Sequence, residues 1–204
     1  MTTIMVNNNP FEDSNINTDN SLKELENLVN EYLTKSDHVI TDIIVDENII
    51  ENKNEEITLG QDISNFNSIE FKSKPRVEIA FETLDSCICY INELNGRIHE
   101  LVSLYRTNKQ DEANALFVEV TTILDLFVQL MSKIQRIFTQ SLGLKKGKQS
   151  IELELNLLEV IKQLVPARQK NDMIMLCDLL EYELIANLDQ WKNQIIPSLQ
   201  SLKK

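Results

Sequence analysis

Two histidines, three cysteines and one tryptophan are the scarce reactive side chains of this 204-residue chain, and their spacing limits its chemistry. A carboxylate-bridged di-metal site in a helical bundle needs a Glu-x-x-His pair on each of two helices. Gly96 stands three residues before His99, and His38 opens a β-branched run, so that motif is missing. His99 also lies off the apolar seam of its helix, as the exposed histidine of a phosphotransfer module does. The residues after it, Glu100-Leu101-Val102, lack the lysine and small side chain that support a phosphoryl group there.

Cys87-Ile88-Cys89 would clip a soft metal only with a second pair of ligands. On a helix, side chains two apart diverge by about 200°, so both thiols do not readily reach one ion. With Cys177 the cysteines are odd in number and show no repeated spacing, which fits buried thiols in a reducing compartment. Gly143-Leu144-Lys145-Lys146-Gly147-Lys148 is only superficially a phosphate loop: the Gly-x4-Gly-Lys-Ser/Thr spacing is absent and no strand precedes it. It reads as a helix end with favourably placed cations. No catalytic, cofactor-binding or metal-ligating residue is assigned. What remains is an acidic face of Asp178, Glu181 and Glu183 around Tyr182, with Trp191 further along. Tyr182 and Trp191 are the candidate protein contacts, because aromatic side chains anchor many interfaces, with the core as the competing place for Trp191.

The elements that must position these residues follow from pattern. Gly 4 and Pro 4 are few, so the chain has few turns and long elements. Residues 1–20, rich in Asn, Asp, Ser and Thr, read as a disordered tail. Residues 21–74 read as a small α+β unit: a helix over 21–35 opened by a Ser21/Glu24 capping box, then β-branched strands at 39–45, 49–50, 56–60 and 68–72. From 75 to 204 the spacing predicts an antiparallel bundle of about four helices, so the fold class is mainly α. The first long helix carries the seam Val77, Phe81, Leu84, Ile88, Ile91, Asn95, Ile98, Val102 and Tyr105, a coiled-coil-like repeat broken only by Asn95. The second, to about Leu142, has a stripe wide enough for two neighbours or for a homodimer seam. The third carries Ile151, Leu155, Leu158, Ile161, Leu164 and Val165 as its apolar positions, with a kink or the start of a new turn at Pro166; the fourth carries Met173, Cys177, Leu180, Leu184, Leu188, Trp191 and Ile195.

The net charge of -12 is concentrated at the front: 5 basic against 15 acidic residues up to Pro75, and 15 against 17 from Arg76. Such a field repels nucleic acid and anionic membrane. No apolar run is long enough for insertion and the start lacks a signal-peptide pattern, so a cytoplasmic location without membrane insertion is expected.

Asp178-Leu179-Leu180-Glu181-Tyr182-Glu183-Leu184, followed by Trp191, resembles the closing helix of an uncharacterised family of bacterial proteins. Val39 to Asp46, Ile69-Glu70-Phe71 and Glu82-Thr83-Leu84 resemble the order of elements in that family across residues 21–195, although Glu47 stands where a glycine would suit a tight turn. The resemblance implies the fold and a bacterial source, with no activity or cofactor to carry over. The expectation is a non-enzymatic protein-binding or adaptor protein, chaperone-like in assembly or secretion; the alternative is histidine phosphotransfer through His99.

Overall fold

The computed structural model describes residues 2–17, 19–50 and 58–203. The chain divides into two compact units, Met1–Ile79 and Ala80–Lys204.

In the first unit, strands β1 (Thr3–Val6) and β2 (Asn9–Pro10) precede helix α1 (Leu22–Thr34); β3 (His38–Val45), β4 (Asn48–Ile49) and β5 (Ser68–Pro75) follow it. The sheet order is β2-β1-β5-β3-β4, with β1 parallel to β5 and the other pairs antiparallel, a β-grasp arrangement. Along the central strand, buried Ile69 and Phe71 alternate with Glu70 and Lys72, so one face packs and the other stays polar. Val6, Val45, Ile69 and Phe71 form a core with Leu22, Leu25, Val29 and Leu33 of α1. The capping box forms as its sequence demands: the Glu24 amide donates to Ser21 Oγ at 3.3 Å, and the Ser21 amide donates to Glu24 Oε2 at 2.9 Å.

Two expectations need correction here. The supposed tail supplies β1 and β2, with Thr3–Val6 registered against Ser68–Phe71, while Phe11 and Ile16 pack partly buried on the core. A polar segment too poor in apolar groups to build a core can still extend one, because its backbone hydrogen bonds to a strand already in place. The strand expected at 56–60 fails as well: residues 56 and 57 lie outside the described residues, and Thr58 and Leu59 occupy a helical turn. The β3–β4 turn is a tight two-residue one despite lacking glycine, with Asp46 at φ 46° and Glu47 at φ 68° as a type I′ turn requires. Asp46 Oδ1 steadies it, accepting from the amides of Asn67 and Ser68 at 2.8 Å each.

Helix α2 (Arg76–Arg106) follows Pro75 directly, and from Ala80 onward it belongs to the second unit. Helices α3 (Gln110–Leu142), α4 (Lys148–Gln169) and α5 (residues 173–200) complete it. Left-handed residues break the chain between them: Asn108 at φ 62°, Gly143 at 66° and Asn171 at 56°. Side-chain contacts fix the order around the ring. Phe81 meets Phe138 at 4.8 Å and Arg97 reaches Glu119 at 2.8 Å, which sets α2 antiparallel to α3. Gln135 donates to Ser150 Oγ at 2.7 Å and Arg168 stacks 4.5 Å over Phe117, joining α3 to α4. Asn187 donates to the Leu153 carbonyl at 3.0 Å, joining α4 to α5. Asn95 donates to Asp189 and Lys192 to Asn92, each at 3.0 Å, and these close α5 on α2. Asn95, the polar break in the α2 seam, is thus half-buried with a partner on a facing helix; Ile88 of that seam is only half-buried.

The stripe of α3 from Ala113 through Leu116, Phe117, Val120, Leu124, Phe127, Met131 and Ile134 to Phe138 is buried within the bundle. By length and composition alone α3 could also cross a membrane. Helix α5 alternates α-helical turns with two π-helical stretches, Leu179–Leu184 and Trp191–Ile195. Its buried leucines 176, 180, 184 and 188 repeat every four residues, which in a pure α-helix would drift by about 40° per step. The wider π turns take up that drift and keep the row on the core. Pro166 does not end α4; the helix runs on to Gln169.

Candidate protein-contact surface

The two aromatic residues picked out by the sequence do not form a joint surface. Tyr182 is 63% exposed, next to Glu181, which accepts from Arg106 at 2.5 Å. Trp191 is 1% exposed and meets Phe127 edge to face with ring centroids 6.0 Å apart. It is a core residue rather than a contact: a ring that large is held where it removes most apolar surface from water. Its indole N–H has no hydrogen-bond partner among the described residues.

The other reactive groups are separated as well. His38 places Nδ1 2.8 Å from the Ser36 carbonyl oxygen, in the first unit. His99 is exposed on α2, a property it shares with the whole outer face of that helix, so exposure does not single it out as a phosphoryl acceptor. Cys87 and Cys177 are buried and Cys89 is exposed. Burial pushes the Cys87 thiol up to about 11; burial also raises Cys177, against the opposing pull of the Arg106 cation. Among the described residues, no three His, Cys, Asp or Glu side chains come together as metal ligands would. Leu144, Lys145, Lys146 and Gly147 border a hollow of about 260 Å³ with Arg136 and Ser150, and Lys146 is paired to Glu154. A polar groove of about 390 Å³ lies between α4 and α5, lined by Gln149, Glu152, Asn156, Glu183 and buried Asn187.

The feature that stands out is the apolar pattern of α4. Helix α4 buries Ser150, Leu153, Leu157, Val160, Leu164 and Ala167. Of the six apolar positions read from the sequence, only Leu164 is inside, and Ile161 is half-buried. Ile151 (41% exposed), Leu155 (57%), Leu158 (43%) and Val165 (51%) face out. At about 100° per residue these four, with Ile161, Glu154 and Lys162, occupy one arc of roughly 120°. The correction has a physical reason: α4 carries two interleaved rows with the same 4,3,4,3 spacing, both apolar except for Lys162 in the outward one, and only the packing of α3 and α5 selects between them. Ser150 turns inward with the buried row, accepting from Gln135 at 2.7 Å, and nothing in the sequence marks it as doing so.

Neither a curated protein nor a solved structure matches the chain. Residues 82–194, running from the first turns of α2 to the second π-helical stretch of α5, match a family described as a domain of unknown function, DUF8042, and to that family the chain belongs.

Proposed function

We propose that this chain is a protein-binding adaptor without catalysis of its own, working in the cytoplasm of a bacterium, and that the outer face of α4 is its principal contact. The observation that carries this reading is the row Ile151, Leu155, Leu158 and Val165, all at least 41% exposed. Single exposed leucines need no explanation, whereas an aligned apolar row on one helix marks an interaction surface. The bacterial source, and a shared plan that includes the first unit, rest on the sequence resemblance at Val39–Asp46 and Asp178–Trp191. The acidity of the first unit makes basic partners the second class to consider and disfavours nucleic acid and anionic membrane.

The test uses the full chain, tagged and expressed in its source organism, with cross-linked partners identified by mass. Leu155→Lys and Leu158→Lys should each remove a partner that the parent chain captures, while leaving far-UV circular dichroism unchanged because neither side chain enters the core. A partner set indifferent to both substitutions would show that the binding face is elsewhere.

A further inference from the structure

The exposed row of α4 is symmetric about its own centre. We propose that it pairs with the same row of a second copy of this chain, the two α4 helices lying antiparallel about a twofold axis at Leu158. This rests on the reading of α4 as a contact face and names its occupant. A twofold interface requires that if residue i meets residue j, then j meets i. Reversing α4 about Leu158 brings Ile151 opposite Val165, Leu155 opposite Ile161, Leu158 opposite itself and Glu154 opposite Lys162. Every apolar member of the row thus falls level with an apolar member, closely at Leu158 and the Ile151–Val165 pairs and towards the edges at Leu155 and Ile161, and the acid falls level with the base twice.

The charges of the helix favour the same sense. Glu152, Glu154 and Glu159 belong mainly to its first half, and Lys162, Arg168 and Lys170 to its end, so antiparallel halves attract and parallel ones repel. Lys148 and Arg168 fall level in this register, but they point to opposite edges of the row, with Arg168 held over Phe117. Within one chain Glu154 is paired to Lys146; Lys162, eight residues further along, is two helical turns away and does not reach it. The row from Ile151 to Val165 spans about 21 Å. Alone it offers less than the roughly 800 Å² per partner of a tight complex, so the dimer is expected to be reversible and concentration-dependent.

Sedimentation velocity on the full chain over a concentration series should show monomer giving way to dimer. Leu158→Lys should hold it monomeric with an unchanged thermal melt. Glu154→Lys and Lys162→Glu should each weaken the dimer several-fold, and the two together should restore it. In a Cys89→Ser background, Leu158→Cys should form a disulfide-linked homodimer on mild oxidation. Ile151→Cys should cross-link to a chain carrying Val165→Cys and not to itself. A parent chain that stays monomeric at every soluble concentration overturns the proposal, as does a dimer indifferent to Leu158→Lys or one in which Ile151→Cys links to itself. A monomer that still loses a captured partner on Leu158→Lys would sink self-pairing and leave the adaptor reading standing. A Leu158-dependent dimer with an unaltered partner set would do the reverse.

Discussion

At the scale of the residue, the three cysteines carry different chemistry despite similar local sequence. Cys87 and Cys89 are two positions apart, which on a helix turns one thiol to the core and the other to water. Only a thiolate attacks an alkylating reagent, and burial holds Cys87 as the thiol far above neutral pH. Iodoacetamide at neutral pH should therefore label Cys89 alone in the native protein, with Cys87 and Cys177 following only in denaturant; peptide mapping reads both states. Rapid native labelling of Cys87 would mean that the first half of α2 opens readily. The expectation of buried thiols holds for Cys87 and Cys177 and fails for Cys89, which is exposed. Which thiol faces water was not legible in the sequence, since it depends on the azimuth of the helix.

At the scale of the element, α4 shows where a periodic pattern stops being informative. Leu153, Leu157, Val160, Leu164 and Ala167 repeat with the spacing of Ile151, Leu155, Leu158, Lys162 and Val165, offset by two residues and so about 200° around the helix. A helix with two such rows is defined in existence and length by its sequence but not in rotation. Helix α3, with one wide stripe, could be oriented from sequence and was. Helix α5 adds a different lesson, because its four-residue leucine repeat holds only with π turns. A π turn amounts to one residue inserted into an α-helix, which gives a test by deletion. Removing exposed Glu183 from Leu179–Leu184 should convert that stretch to α-helix, keep Leu188 and Trp191 facing inward, and leave a folded bundle. Removing exposed Gln129 from the regular α3 should rotate everything after it by about 100°, carrying Met131, Ile134 and Phe138 off the core and abolishing the cooperative melt. Equal damage from both deletions would show that the π stretches do not hold the register.

At the scale of the whole molecule, the order of units was legible because composition changes sharply at Pro75, where β-branched runs give way to a 3.6-residue period. The inclusion of residues 3–10 in the first unit was not, since a short strand is recruited by backbone bonding that leaves little trace in side-chain pattern. That unit also holds two carboxyl groups below their ordinary value of 4.5: Glu24, through its bond from the Ser21 backbone amide, and Glu70, through Lys72. A carboxyl whose folded pKa is depressed stabilises the fold above the unfolded value, and that contribution is lost as pH falls through the folded one. Acidification from neutral to below 4.5 should therefore loosen the first unit, with amide cross-peaks of β1 and β5 fading in NMR spectra. Glu24→Gln and Glu70→Gln should flatten that pH dependence, and a response unaltered by both would assign the acid sensitivity elsewhere.

The buried indole of α5 makes this separation measurable by light. The chain has one tryptophan, in the second unit and edge-on to Phe127, so excitation at the red edge of the protein spectrum illuminates the bundle and nothing else. Its emission should be blue and poorly quenched by iodide while the bundle stands, and should shift red in one step when the bundle opens. The fluorophore needed to time that event apart from the sheet is already part of the protein, and no dye has to be attached.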